Sequence, residues 1–170
     1  MSNIQLNKIA LCNKEKFYQW ATNSDATPYW YGSLYGDNIP TREELFEDYD
    51  ADYFNEKKPC EKGVFAIKPL SEDREIGVVN YQVEWISSKK YYDIDILIAS
   101  DQDKNKGYGS AALSSLVRKL NVECNAEYFM IHVHSENTRA QKAYEKAGFI
   151  QNRKYKDAKG FEWLEYTKGI

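Results

Sequence analysis

The sequence predicts a mixed α/β fold, in which one mostly antiparallel sheet of about six or seven strands is flanked by about four helices. Helical periodicity is the first indication, because apolar residues recur at helical spacing around Phe17 and again over 113–120. Runs of β-branched and aromatic residues between turn residues are the second, since such runs are typical of strands. No repeat or linker interrupts the pattern, and 170 residues fit a single domain, 1–170.

The first part of the chain is expected to hold a short strand and two helices. The strand covers 4–11, and Asn13 is placed to cap the first helix. Two prolines and two glycines predict an irregular segment over 27–40. Thr41 and Glu44 have the spacing of a capping box, so a second helix begins there.

The middle of the chain carries three strand-like runs, at 64–70, 75–86 and 91–99. Their short connections predict an antiparallel meander. Side chains alternate along the third run and so divide between the two faces of the sheet, with Tyr92, Ile94, Ile96 and Ile98 on one face and Asp93, Asp95 and Leu97 on the other.

The last part of the chain alternates helices and strands. A helix over 107–120 is followed by a strand over 128–134. Asn137 then caps a helix that Gly148 ends. Two further runs, at 149–155 and 161–166, predict a closing hairpin.

The charge pattern indicates what kind of partner the protein takes. Lysine and arginine number 23 against 26 acidic residues, a net charge of −3, which speaks against a nucleic-acid partner. The segment 42–56 is strongly acidic, with seven acids and one base. It is either a solvated helix face or a rim that attracts a polycationic substrate.

Cysteines and histidines predict no metal site and no disulfide. Cys12, Cys60 and Cys124 are widely spaced and odd in number, which indicates reduced thiols. His132 and His134 share one strand without a cluster of further ligands. No apolar run has the length of a signal peptide or a membrane span, so we expect a cytoplasmic protein without a membrane partner.

The segment around Gly107 and Gly109 is a candidate phosphate site. A strand rich in Ile and Leu enters a polar loop, and the two glycines open a helix whose first amides have no partner. Lys104 and Lys106 can add positive charge. The loop lacks the Walker pattern, and Ala112 stands where the dinucleotide fingerprint requires its third glycine.

A second motif, HVHSENTRAQKAYEKAGF, follows about 30 residues later. With the loop it resembles the GCN5-related N-acetyltransferase (GNAT) superfamily, although Lys104 replaces the Arg or Gln usual at the first loop position. The resemblance implies acetyl-CoA as acetyl donor and the following cofactor-binding residues: Leu97, Ile98, Ala99, Lys104, Asn105, Lys106, Gly107, Tyr108, Gly109, Ser110, Asn137 and Tyr144. Asn137 is equally well explained as a plain helix cap.

The resemblance also implies catalytic roles. Tyr144 would return a proton to the departing thiolate, although a tyrosine on an apolar helix face is otherwise a core residue. An attacking amine must lose its proton, and Asp95 is the first choice as base because it lies two residues before Leu97. A simple ion pair is the alternative for Asp95. His132 is the rival base, with His134 and Asp93 behind it.

The N-terminal half is similar to the aminoglycoside 6′-N-acetyltransferase branch. On that resemblance Trp30, Tyr31, Asp95 and the acids after Thr41 line a pocket for a small cationic amine. A polyamine satisfies the same electrostatics, and a ribosomal-protein N-terminal acetyltransferase or a non-catalytic acetyl-CoA-binding module also remains open. Trp85 and Trp163, taken as exposed residues of edge strands, indicate a homodimer.

Overall fold

The computed structural model describes residues 3–31 and 38–170. Within them it contains one seven-stranded sheet and five α-helices, which confirms the predicted mixed α/β class. The strands are β1 Ile4–Lys8, β2 Lys62–Pro69, β3 Gly77–Ile86, β4 Lys89–Ile98, β5 Tyr128–His134, β6 Ile150–Lys156 and β7 Glu162–Gly169. The helices are α1 Lys14–Thr22, α2 Thr27–Trp30, α3 Arg42–Asp48, α4 Tyr108–Cys124 and α5 Thr138–Lys146.

The sheet has the strand order β1-β2-β3-β4-β5-β7-β6. All neighbours run antiparallel except β4 and β5, which are parallel. The β3–β4 hairpin is paired along its whole length, from Gly77↔Ile98 to Ile86↔Lys89, as the predicted meander requires. By contrast, β4 and β5 pair only at Tyr92↔Phe129 and Asp93↔Met130. The two strands therefore separate beyond Asp93, and the sheet opens between them.

Two hydrophobic clusters cover the two faces of the sheet. On one face α4 and α5 pack against the strands, and Leu113, Leu116 and Leu120 are almost fully buried there. On the other face Phe17 of α1 and Leu45 of α3 are fully buried. The period-2 alternation of β4 places Tyr92, Ile94, Ile96 and Ile98 at the first cluster, whereas Leu97 belongs to the second cluster and lies on the face of the two aspartates, as predicted.

The end of β4 is fixed by a close approach of β3. A Cβ atom at Gly77 would lie 2.0 Å from the carbonyl oxygen of Leu97, so only glycine permits this distance. The amide of Ala99 continues the pairing by donating to the carbonyl oxygen of Ile76 at 2.9 Å. The β3 side thus holds the last residues of β4 in place, while their other side faces the opening.

The capping predictions have mixed outcomes. The Thr41 box is confirmed, with the amide of Glu44 donating to the Thr41 hydroxyl and the amide of Thr41 donating to the Glu44 carboxylate. Asn13 precedes α1 but makes no side-chain cap bond. Asn137 caps α5 by accepting from the amide of Ala140 at 3.2 Å.

Two boundaries differ from the prediction. Irregular structure was expected over 27–40, but Thr27–Trp30 form α2, because proline is well tolerated in a first helical turn. Residues 32–37 of that segment lie outside the described residues. Helix α4 continues to Cys124, four residues past the predicted end, where Asn125 takes a left-handed conformation. None of the described helices is long and apolar enough to cross a membrane.

The prediction of three reduced thiols is wrong for two of the cysteines. Cys60, in the segment before β2, forms a disulfide with Cys124 at the end of α4, with their Cα atoms 5.3 Å apart. The two positions are 64 residues apart, so spacing along the chain gave no sign that the fold brings them together. Cys12 remains a free, exposed thiol.

The two tryptophans taken as edge-strand residues lie on interior strands. Trp85 is on β3, between β2 and β4, and Trp163 is on β7, between β5 and β6. Trp85 is 69% exposed, whereas Trp163 is partly buried. The edges of the sheet are β1 and β6. The argument from edge strands is therefore wrong, and the homodimer stays a prediction.

Candidate active site

The opening between β4 and β5 leads into a cleft of about 480 Å³. The α4–α5 wall, named here for the loop 103–107, the start of α4 and the facing side of α5, forms one side. The aromatic wall, formed by Trp30, Tyr31 and Tyr49, forms the other. Between them, the β4 residues Asp95, Ile96, Leu97 and Ile98 line the cleft. Residues from distant parts of the chain thus meet where the sheet is open.

The start of α4 supplies main-chain donors to the cleft. Gly107 precedes the helix with φ +82°, a left-handed conformation that favours glycine. The first helical bond runs from the amide of Ala111 to the Gly107 carbonyl, so the amides of 108–110 precede the helical ladder. A Cβ atom at Gly109 would meet only the Ala143 side chain, at 3.9 Å. Packing within the protein therefore does not require glycine at 109.

The polar loop before α4 is held by its own charged groups. Asp103 is 1% exposed and accepts two hydrogen bonds from the Arg74 guanidinium, at 2.7 and 2.6 Å. These bonds lower the pKa of Asp103. Lys106 lies 3.5 Å from the same carboxylate, and Lys104 is bonded to Asp101. Both lysines that were expected to add charge for a phosphate are thus paired with acids of their own loop.

Helix α5 contributes two of the predicted residues. Asn137 and Tyr144 are seven residues apart, which places them on one helix face, and both line the cleft. The side-chain oxygen Oδ1 of Asn137 accepts from the amide of Ala140 at 3.2 Å, so Asn137 is a helix cap. Tyr144 is 5% exposed, and its ring packs edge-on against Tyr166, with the ring centroids 5.7 Å apart.

Asp95 is the carboxylate on the β4 side of the cleft. It is exposed to the cleft, although the protein atoms around the cleft restrict the hydration of its carboxylate. This loss of hydration raises the pKa of Asp95 to about 6, against an ordinary value of 3.8, and a bond from Tyr49 opposes the rise. The Tyr49 hydroxyl lies 3.5 Å from the carboxylate, a long hydrogen bond. Asp95 therefore changes charge just below neutral pH.

Asp93 and His132 form a second polar group beside Asp95. Burial and the charge of Asp95 raise the pKa of Asp93 to about 8, and the two carboxyls titrate as a pair. His132 lines the cleft, with Nε2 4.0 Å from Asp93 and Nδ1 3.0 Å from the Tyr155 hydroxyl. Burial lowers the pKa of His132, so the imidazole is neutral at pH 7.

His134 has a structural position. It is 6% exposed, and its Nδ1 accepts a hydrogen bond from the amide of Glu136 at 3.2 Å. Its ring packs edge-on against Phe161 and Trp163. His134 does not belong to the cleft lining. Within residues 3–31 and 38–170, no three His, Cys, Asp or Glu side chains gather in a way that could hold a metal ion.

The aromatic wall is anchored in the core by Phe17. The Phe17 ring lies edge-on to Tyr49 and to Trp30, at centroid distances of 4.7 and 6.1 Å. Burial, together with the charge of Asp95, raises the pKa of both Tyr31 and Tyr49, so both hydroxyls stay protonated. Trp30 and Tyr31 were expected in the pocket, and both line the cleft.

The acidic segment 42–56 does not line the cleft as expected. Of its residues only Tyr49 reaches the lining. Several of its acids form ion pairs at the surface, such as Asp50 with Lys62 and Asp52 with Lys58. Most of α3 is exposed, so the reading of a solvated helix face is the correct one. The acidic residues were expected in a pocket because of their number, but their number does not show which side of the helix faces the sheet.

Among the residues of the cleft lining that sequence reasoning missed are Tyr49, Arg139, Lys142, Lys146 and Trp163. The cations Arg139, Lys142 and Lys146 share one face of α5, but helical spacing puts that face on the far side of the helix from Asn137 and Tyr144, so the motif gave no sign that they reach the cleft. Tyr49 and Trp163 had no local signal. They reach the cleft only through the packing of α3 and the pairing of β7 with β5.

A mixed sheet that opens between two parallel strands, with a helix N-terminus on one side and a carboxylate on the other, has the architecture of an acyltransferase. The sequence matches the profile of the acetyltransferase (GNAT) domain over residues 4–150. The chain belongs to the GNAT acetyltransferase family. No protein of curated function matches the chain significantly in sequence.

Solved structures share the fold at low sequence identity. The aminoglycoside acetyltransferase AAC(6′)-Ib, in complex with paromomycin and acetyl-CoA, has a TM-score of 0.75 and 20% identity, covering 98% of this chain and 93% of that one. The spermidine N-acetyltransferase of Vibrio cholerae, in complex with CoA and spermine, has a TM-score of 0.73 and 16% identity, covering 99% and 96%. A GNAT-family acetyltransferase from Bacillus anthracis has a TM-score of 0.72 and 16% identity, covering 98% and 95%.

Proposed function

We propose that residues 1–170 form one N-acetyltransferase domain that transfers an acetyl group from acetyl-CoA to a primary amine of a small cationic molecule, first of all an aminoglycoside. The observation that carries the proposal is the cleft, where main-chain donors of α4 and the carboxylate of Asp95 line one continuous space. A cofactor arm and an amine can meet there without crossing the sheet.

The residues of the cleft fit acetyl-CoA. Leu97 and Ile98 line the cleft where β4 has lost its β5 partner, so the main chain on that side is available to an extended arm, whereas the amide of the next residue, Ala99, is already bonded to Ile76. The amides of 105–110 and the dipole of α4 favour a diphosphate, and the side-chain nitrogen of Asn137 is available to the arm. Acetyl-CoA supplies an activated acetyl group in the form of a thioester.

Asp95 is the residue that prepares the amine. A free amine is mostly protonated at neutral pH and has then no lone pair with which to attack. With its pKa near 6, Asp95 is ionised at pH 7 and can accept the proton, directly or through a water molecule. Its carboxylate also attracts the cationic substrate into the cleft.

Tyr144 is the residue that returns a proton. Its side chain lines the cleft on the α4–α5 wall and is almost fully buried. The hydroxyl donates its proton to the sulfur that leaves as a thiolate. His132 is the second candidate for the base, because it lines the cleft as a neutral imidazole.

Two classes of acceptor have support. AAC(6′)-Ib was crystallised with kanamycin, and the Vibrio cholerae enzyme with spermine. The aromatic wall favours the aminoglycoside, because rigid rings pack against the faces of sugars, whereas the acidic segment that would favour a polyamine lies outside the cleft lining. A polyamine is therefore the second candidate, ahead of a protein N-terminus.

A panel of amines distinguishes these functions. Release of free thiol from acetyl-CoA is followed with kanamycin, spermidine and an N-terminal peptide at matched concentrations. We expect turnover with kanamycin and little with spermidine. The reverse order would replace the aminoglycoside by a polyamine, and turnover only with the peptide would replace both. Measurable affinity for CoA without turnover of any amine would identify a non-catalytic binding module.

A further inference from the structure

The cations that line the cleft differ in whether they have a partner. The ammonium of Lys104 binds the Asp101 carboxylate and, at 3.2 Å, the carbonyl oxygen of Asp25, and its side chain is only 5% exposed. Lys104 and Arg139 also lie against the ring of Tyr29, at 5.3 and 5.0 Å. Both cations therefore serve to hold the loop, α2 and α5 together.

The loop 101–106 has little unpaired positive charge to give to a ligand. Lys104 is paired with Asp101, and Lys106 lies 3.5 Å from Asp103. Asp103 itself is paired with Arg74. If Lys104 turned toward a phosphate, it would leave the Asp101 carboxylate without its partner, and this loss would offset much of the new contact.

Lys142 and Lys146 are in a different situation. Both line the cleft, both are exposed, and no carboxylate of residues 3–31 and 38–170 forms an ion pair with either. They are four residues apart and so lie on one face of α5. The Lys146 ammonium is 3.7 Å from the place of a Cβ atom on Gly107. Unpaired positive charge thus stands directly beside the start of α4.

We propose that Lys142 and Lys146 form a phosphate-binding pair, which holds the phosphate groups of acetyl-CoA together with the amides at the start of α4. The inference rests on the proposed function, since acetyl-CoA is the ligand that brings phosphates into the cleft. Main-chain amides give direction to the contact, and two exposed ammonium groups add charge without breaking an existing pair. This pair supplies what Lys104 and Lys106 do not.

The test is calorimetry with CoA on the double variant Lys142→Ala and Lys146→Ala. Alanine is a good helix former at these exposed positions, so the variant should fold, and its unfolding midpoint verifies this. We expect the dissociation constant for CoA to rise about 10- to 50-fold. We also expect a weaker dependence of affinity on salt, because two charges that act on phosphates are gone. Lys154→Ala on β6, which lies outside the cleft lining, is the control for loss of a lysine charge.

The outcomes separate the two proposals. If the double variant binds CoA as tightly as the wild type and with the same salt dependence, the lysine pair is wrong and the proposed function stands. An equal loss in Lys154→Ala would also overturn the pair, because the effect would then come from net charge. Repeating the titrations with dephospho-CoA, which lacks the 3′-phosphate, assigns the contact. If the double variant still loses affinity, the lysines contact the diphosphate; if wild type and variant bind dephospho-CoA equally, the lysines contact the 3′-phosphate. Absence of CoA binding by the wild type would overturn the proposed function itself.

Discussion

The two walls of the cleft are built in different ways. The α4–α5 wall comes from two short segments, 103–110 and 137–146, and consists of main-chain donors, a capped helix and cations. The aromatic wall comes from separate pieces, Trp30 and Tyr31 at the end of α2 and Tyr49 after α3, and Trp30 and Tyr49 both pack on Phe17. The first wall is a local property of the sequence and the second is a property of the folded core. This division suits a protein in which the α4–α5 wall binds the acetyl donor and the aromatic wall binds the acceptor, which differs from one acetyltransferase to another.

Replacing Asp95 should have the largest effect. We expect Asp95→Asn to lower kcat by about 10²- to 10⁴-fold, because the amide cannot accept a proton, while affinity for CoA on the α4–α5 wall is retained. Steady-state thiol release and calorimetry check the two parts. Asp73→Asn, at a 99% exposed carboxylate, is the matched control and should keep full activity. Full activity of Asp95→Asn would transfer the role of base to His132.

The disulfide joins the segment before β2 to the end of α4 and should matter next. It closes a loop of 64 residues, and its loss is expected to lower the free energy of unfolding by about 4 kcal/mol. Urea denaturation of Cys124→Ser, or of the wild type with reductant, measures this change. Cys12→Ser should leave stability unchanged, because Cys12 is free and exposed. Equal stability with and without reductant would show that the bond does not form in solution.

Tyr144→Phe tests a buried residue of the α4–α5 wall. We expect kcat to fall by about 10- to 100-fold, because the sulfur loses its proton donor while the ring still packs against Tyr166. The dissociation constant for CoA should not change, as calorimetry will verify. An unchanged kcat would remove the catalytic role and leave Tyr144 as a core residue.

The pH dependence of turnover should report Asp95. Its pKa is about 6, so the carboxylate is protonated and inactive as a base below that pH. We expect kcat/KM, corrected for the fraction of neutral amine, to fall about tenfold per pH unit below pH 6 and to level off above it. Asp95→Asn should lack this acidic limb. A limb that persists in the variant would belong to another group of the cleft.

Asp93→Asn tests the raised pKa of this residue through its effect on stability. In the folded protein the pKa of Asp93 is about 8, against an ordinary value of 3.8, so the folded state binds the proton more tightly than the unfolded state. The free energy of unfolding therefore falls as pH rises from about 4 to about 8, and the variant should lose this fall. Urea denaturation should then find Asp93→Asn more stable than the wild type at pH 8, with a smaller difference at pH 5. A difference that does not grow with pH would contradict the raised pKa.

The sequence predicted the α4–α5 wall better than the aromatic wall. Gly107, Asn137 and Tyr144 lie in contiguous motifs, and the alternation of β4 identified the face of Asp95. Local patterns of this kind need no knowledge of the core. The ion pairs of Lys104 and Lys106 within their own loop were not predictable. Lys104 also bonds to Asp25, and Arg74 holds the loop carboxylate that Lys106 approaches, and both of these residues reach the loop only in the folded chain.

The errors have the same origin. The Cys60–Cys124 bond, the position of Tyr49 and the interior strand of Trp163 all depend on contacts between residues far apart in sequence. The prediction that the acidic segment lines the pocket failed because charge density along the chain does not show which side of a helix faces the sheet. The insertion of β7 between β5 and β6 decides the position of Trp163.

A crystal structure of the protein with bound CoA tests the division of the cleft most directly. The account predicts the diphosphate within hydrogen-bond distance of the amides of 108–110, and the sulfur between the Tyr144 hydroxyl and the Asp95 side of the cleft. CoA bound at another place, or with its sulfur directed away from Asp95, would contradict the account.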